Sequence, residues 1–136
     1  MDKKQLIKIY FKARAESDFN ALVEIFSDDV QIHNVHFPVY SGIEGIKNFC
    51  IDFQKRISHS TFEIIKILEN DSLAMVEWGA VLTYKKGALV AGMEIKTPFN
   101  LKLRGINRFD FTDNKISCLR VYHETSTVID LVKNNS

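Results

Sequence analysis

The chain has 136 residues, of which 46% are hydrophobic and 26% charged, with a formal net charge of +1. That length suits one domain spanning residues 1–136, with a core large enough to need no disulfide or metal staple. The near-neutral charge offers no basic field for nucleic acid and no apolar run is long enough to span a bilayer, so neither partner is expected.

Met1-Asp2-Lys3-Lys4-Gln5 opens a helix rather than a signal core, and the chain reads as cytoplasmic. Cys50 and Cys118 sit in apolar periodic segments without metal-type spacing, as small hydrophobes in a reducing compartment would. Residues 3–16 place Leu6, Ile9, Tyr10 and Ala13 at helical spacing, with lysines opposite. Ser17-Asp18 breaks that helix. Asp18 can cap a second one, whose buried stripe is Phe19, Leu22, Val23 and Phe26. A short strand follows, ending in His33-Asn34-Val35-His36-Phe37-Pro38. Ser41 and Glu44 match a capping box for a third helix, in which Ile46, Phe49, Cys50, Phe53 and Ile57 recur at three- and four-residue steps.

Beyond Ser58 the period falls to two. Thr61–Leu68 predicts a strand, Asn70-Asp71 a turn, and Leu73–Tyr84 a longer strand closed by Lys85-Lys86-Gly87. Glu94–Phe111 predicts another, interrupted at Thr97-Pro98, and Thr112–Lys115 turns the chain into Ile116–Glu124. Thr125–Lys133 admits a short terminal helix. Helices gathered ahead of four strands specify an α+β fold, a curved antiparallel sheet with helices over one face.

Strand parity then sorts the side chains. Leu101, Leu103, Gly105, Asn107, Phe109 and Phe111 form one row, and Lys102, Arg104, Ile106, Arg108 and Asp110 the other, so one wall is dry. Asn107 is the only polar side chain in the dry row, and must either bond backbone or hold a ligand oxygen. By the same parity Leu119, Val121 and His123 face inward, as do Val76, Trp78, Ala80 and Leu82, while Glu77 faces outward. Tyr10, Asn34 and His36 are polar, hydrogen-bonding groups among large apolar ones, the usual lining of a small-molecule pocket. A neutral imidazole, His36 or His123, can serve there as a base. His33 points the other way, and the histidines lack a carboxylate on their face, so no metal site is expected.

The order of elements, together with His33-Asn34-x-His36-Phe37-Pro38, Ser41-Gly42-x-x-Gly45-Ile46 and Lys115-Ile116-x-x-x-Arg120-x-Tyr122, resembles the nuclear transport factor two-like superfamily. Within it the chain is most similar to the SnoaL-like and ketosteroid-isomerase-like branch. The resemblance covers nearly the whole chain. It implies a cone-shaped α+β barrel, in which a curved antiparallel sheet wraps around three N-terminal helices and encloses an apolar pocket. It also implies no cofactor, and a homodimer through the outer sheet face that carries Lys102, Arg104, Ile106, Arg108, Arg120 and Tyr122.

In ketosteroid isomerases a first-helix tyrosine donates to the substrate oxyanion, and Tyr10 falls at that place. The general-base aspartate falls at Asn34, and the second donor, a protonated aspartic acid, at Asn107. An amide can donate a hydrogen bond but cannot take up a proton at neutral pH, so isomerisation by that route is not expected. The Asp-Arg-Asp set of limonene epoxide hydrolases falls at Ala80, Trp78 and Val121, and is absent too. The acid of SnoaL-type cyclases falls near Val121 or Glu124, and parity turns Glu124 outward. The expected reactive set is therefore Tyr10, Asn34, His36, Asn107 and His123, with Phe26, Phe53, Trp78, Met93, Phe109 and Val121 as the ligand-binding wall. Three functions fit: an isomerase, cyclase or hydrolase acting on a small apolar carbonyl compound, a non-catalytic binder of a hydrophobic ligand, or an interaction module using the outer sheet face.

Overall fold

Two capped helices begin the chain in the computed structural model, which describes residues 1–136. α1 (Lys3–Glu16) starts at Asp2, which exchanges side-chain and backbone hydrogen bonds with Gln5 as a capping box. It stops at Ser17, whose φ of 52° is left-handed. α2 (Phe19–Ile25) is capped by Asp18, whose carboxylate accepts the Ala21 N–H at 3.1 Å. There follow β1 (Phe26–Asn34), β2 (Tyr40–Ser41), α3 (Gly42–Arg56), β3 (Ile57–Glu69) and β4 (Leu73–Tyr84). The chain ends with β5 (Leu89–Val90), β6 (Met93–Glu94), β7 (Phe99–Thr112), β8 (Lys115–His123) and α4 (Ser126–Asn134).

Two local expectations are corrected. Ser41 is the N-cap of α3, but its hydroxyl donates to Gln31 Oε1 at 3.1 Å instead of capping the helix. The pairing of Gln31 with Ser41 across β1 and β2 sets those side chains together and draws the hydroxyl away. β3 begins at Ile57 rather than Thr61, directly out of α3.

The six main strands lie in the order β2-β1-β8-β7-β4-β3. Their pairs are antiparallel except β1 with β8, which run parallel, so the sheet is mixed and not wholly antiparallel as expected. A parallel pair needs a long crossover, and everything from β2 to β7 supplies it. Register shifts in β1, in β3 and between Asp110 and Phe111 bend the strands. The edges β2 and β3 do not meet, so the sheet curves into a cone without closing.

The predicted parity of β4, β7 and β8 is found. Val76, Trp78, Ala80 and Leu82 are buried, as are Leu101, Leu103, Asn107 and Phe109, then Leu119 and Val121. Helices fill the concave side with Leu6, Ile7, Tyr10 and Phe11 from α1 and Ile46, Phe49 and Phe53 from α3. Each such large side chain contributes about 1.5–3 kcal/mol by leaving water. No helix is long and apolar enough to cross a membrane.

Candidate functional site

The core does not fill the cone. A cavity of about 750 Å³ remains between α1, α3, the concave face of β4, β7 and β8, the turn after β1, the β5–β6 hairpin and α4. Tyr10, Asn34, His36, Asn107 and His123 all line it, together with Phe53, Trp78 and Val121. Phe26, Phe109 and Met93 do not, which corrects their expected place in the wall. Phe26 and Phe109 stand edge-on to Tyr10 at 6.2 and 5.2 Å between ring centroids, buried in the core, so they hold the tyrosine rather than a ligand. Met93 lies on β6, and the hairpin reaches the cavity through Leu89, Val90 and Ala91 instead.

The floor is built on β4 and β7. Trp78 Nε1–H donates to Asn107 Oδ1 at 2.9 Å, with the two residues 3% and 1% exposed. That bond satisfies the indole and fixes the amide, whose NH₂ is then the donor side, with the Tyr10 hydroxyl oxygen within its reach. Gly105, opposite Trp78 in register, makes it possible. A Cβ there would stand 2.7 Å from Trp78 Cε2 and collide with Trp78 Cζ2 and the Tyr122 carbonyl. The indole therefore crosses bare backbone to reach Asn107 two residues further on.

Tyr10 rises from α1 toward the same place. Burial pushes its hydroxyl pKa up to about 12, while Arg14 and the Asn107 amide pull it partly back. The phenol stays protonated at neutral pH and can donate. Asn34, 8% exposed, has a buried Oδ1 with no hydrogen-bond partner. β1 ends at Asn34, and a turn follows in which His36 takes a φ of 66°, so strand parity stops before it. His36 sits exposed at the rim, its Nε2 3.2 Å from Thr125 Oγ1. His123, on β8, is half-buried, and desolvation lowers its pKa, with the Glu124 carbonyl working against that. Nδ1 lies 3.3 Å from that carbonyl, which can only accept, so the proton is assigned to Nδ1 and the lone pair to Nε2.

Charged groups that strand periodicity did not single out also line the cavity. Arg14 is 7% exposed. Its guanidinium carbon lies 3.7 Å from the Phe49 ring centroid and 4.0 Å from that of Phe53, and Nη1 donates to the Phe49 carbonyl at 3.3 Å. Burial pulls its pKa down to about 10, which leaves it cationic at neutral pH. Arg56 stacks on Phe37 at 4.5 Å. Asp52 accepts the Tyr40 hydroxyl at 2.6 Å. The chain's one salt bridge, Arg108 with Asp110 at 3.0 Å, lies away from this lining. No cluster of three or more His, Cys, Asp or Glu side chains is arranged to hold a metal ion.

Residues 7–119 match the family model of the SnoaL-like domain. No curated protein matches the chain. Among solved structures, a candidate polyketide cyclase from Xanthomonas campestris pv. campestris superposes with a TM-score of 0.84 at 19% identity, covering 95% of each chain. An LEH-like epoxide hydrolase from M. tuberculosis gives 0.71 at 17% identity, covering 96% of this chain and 89% of the other. A hypothetical protein from Catenulispora acidiphila with a ketosteroid isomerase-like fold gives 0.73 at 18% identity, covering 94% and 92%. At such identities the likeness is one of fold.

Proposed function

This chain belongs to the SnoaL-like domain family, and on that premise we propose that its cavity takes a small, mostly apolar carbonyl compound and moves a proton beside the carbonyl. The observation that carries this reading is the donor pair on the cavity floor: the Tyr10 hydroxyl and the Asn107 amide held by Trp78. Of 26 lining residues 17 are hydrophobic, so such donors act in a dry surrounding, where they count most. The substrate carbonyl oxygen accepts from both. His123 Nε2 takes a proton from the adjacent carbon: the C–H bond breaks, its electron pair moves to the oxygen, and the donors hold the resulting enolate. Where the substrate carries a C=C β,γ to the carbonyl, the enolate is a dienolate, and return of the proton from the imidazolium to its γ-carbon completes an isomerisation. The same enolate attacking a second carbonyl carbon of the same molecule, whose oxygen becomes an alkoxide and takes the imidazolium proton, would be a cyclisation. Asn34 cannot be the base but can orient the substrate.

The test is hydrogen–deuterium exchange of 2-tetralone in D₂O, followed by NMR. Exchange faster than in buffer is expected, reduced about tenfold or more in Tyr10→Phe and lost in His123→Gln. Binding of the ketone without accelerated exchange would refute catalysis and leave a second reading, a non-catalytic binder. That reading draws on the lack of an available carboxylate, since Asp52 is engaged by Tyr40. For the assembly, the exposed Met75, Val81, Ile106 and Tyr122 on the outer sheet face support a homodimer.

A further inference from the structure

We infer that the ligand of this cavity carries a permanent anionic group, a carboxylate by simplest chemistry, and that Arg14 is its partner. The inference rests on the cavity being the ligand site and adds the charge of what enters it. Arg14 is a buried cation with no anion of its own. The groups that bear on its protonation are Tyr10, Arg56, Cys50 and Tyr40. None is negative at neutral pH, because burial raises the pKa of Tyr10, Cys50 and Tyr40 alike. Within the chain its guanidinium makes one hydrogen bond, to the Phe49 carbonyl, and lies against two aromatic rings. Ring faces and one carbonyl offset only part of the desolvation of a guanidinium, which has five N–H donors in a planar fork.

The other cations make the point sharper. Arg56 and the exposed Lys55 line the same cavity, so three cations share it with one carboxylate, Asp52. Arg56 has Asp52 within electrostatic reach, but Arg14 has no acid. A cavity whose net charge is positive and whose buried arginine fork is unpaired fits a planar carboxylate better than a neutral hydrocarbon. The position fits the chemistry as well. Arg14 stands four residues after Tyr10 on α1, on the same helix face and about 6 Å along the axis. A carbonyl at Tyr10 and a carboxylate at Arg14 therefore define an apolar keto acid held at both ends.

Calorimetric titration of the full chain with 2-naphthoate and with the isosteric neutral 2-naphthamide, at pH 7.5 in 0.1 M NaCl, tests this. The acid should bind about tenfold or more tightly than the amide, the worth of a charged hydrogen bond in a dry site. Arg14→Gln should bring the acid to the level of the amide and leave the amide unchanged, while Arg56→Gln should keep the preference. If Arg14→Gln fails to fold, the Arg14 Nε resonance, assigned through Arg14→Lys, decides: it should move with the acid and not with the amide. Equal affinities for the two probes, a preference that survives Arg14→Gln, or an unmoved Arg14 resonance would overturn the inference. Those outcomes leave the cavity reading standing, whereas failure of both probes to bind would overturn the two together.

Discussion

Gly105→Ala probes the whole floor of the site with one methyl group. In the wild type the Trp78 indole crosses the α-carbon of Gly105, and an added Cβ would meet two indole carbons and the Tyr122 carbonyl. The carbonyl cannot give way cheaply, because β7 and β8 pair at that level, with Gly105 opposite His123 and Ile106 opposite Tyr122. Forcing a methyl into a packed core costs about 1–3 kcal/mol. The indole must also swing off, which strands Asn107 Oδ1 in a buried place, for another ~1–3 kcal/mol. The sum, roughly 2–6 kcal/mol, is a large part of the ~5–15 kcal/mol by which domains are stable. A chain of this length loses some 3–5 °C per kcal/mol, so the melting temperature should fall by roughly 6–30 °C. Thermal denaturation by circular dichroism measures that, and Trp78, the only tryptophan, reports indole displacement through its emission. Gly87→Ala is the control: its φ is +87° but nothing lies within 4 Å, so only backbone strain of about 1 kcal/mol applies. A Gly105→Ala melting point within ~3 °C of wild type with unchanged emission would show that Trp78 does not lie where this account needs it.

Folding lowers the proton affinity of His123, so the unfolded chain takes up that proton first. The stability tied to neutral His123 is complete above about pH 6.5, declines as pH falls below that value, and levels off below the folded-state pKa. Urea midpoints between pH 7.5 and 5.5 should fall less steeply for His123→Gln, and equal slopes would contradict the burial of the imidazole. Asn34→Leu should leave stability unchanged or raise it by up to ~2 kcal/mol, since it removes a buried acceptor that has no partner. A loss above ~1 kcal/mol in chemical denaturation would mean the amide is satisfied in solution. If the wild type is the dimer proposed above, Ile106→Glu places a charge amid the exposed apolar residues of the outer sheet face and should reduce it to a monomer mass by light scattering. A wild-type monomer, or a dimer indifferent to the substitution, would remove that face as the contact.

The sheet was legible because a strand with one wet and one dry wall writes itself at period two. The row from Leu101 to Phe109 and the row from Val76 to Leu82 could be assigned face by face, and with them the inward turn of Asn107 and His123. Parity failed where the backbone left the strand. His36 itself takes a positive φ within the turn after β1, so its place at the rim follows from that turn and not from its distance to Asn34. The parallel pairing of β1 with β8 was hidden for another reason: it joins segments about ninety residues apart, and no local pattern marks which edge a returning strand will choose. Phe26 and Phe109 are interior as expected yet do not line the cavity, because a row of dry residues does not say where packing ends and empty space begins.

Arg14 shows the limit most clearly. It shares a helix face with Tyr10, and a cation on an apolar face is visible in any helical reading of Tyr10-Phe11-Lys12-Ala13-Arg14. What periodicity cannot supply is the reason for tolerating it. Long basic side chains commonly leave an apolar face by reaching to water. Here Phe49 and Phe53, brought in by α3, close over the guanidinium instead and keep it in the cavity. The partners that turn a surface arginine into a buried one lie 35 and 39 positions away in a separate helix, and become neighbours only when the cone has formed. The charge of the site is thus a property of the assembled helices, whereas its donors, Tyr10 and Asn107, belong to patterns that a single helix and a single strand already display.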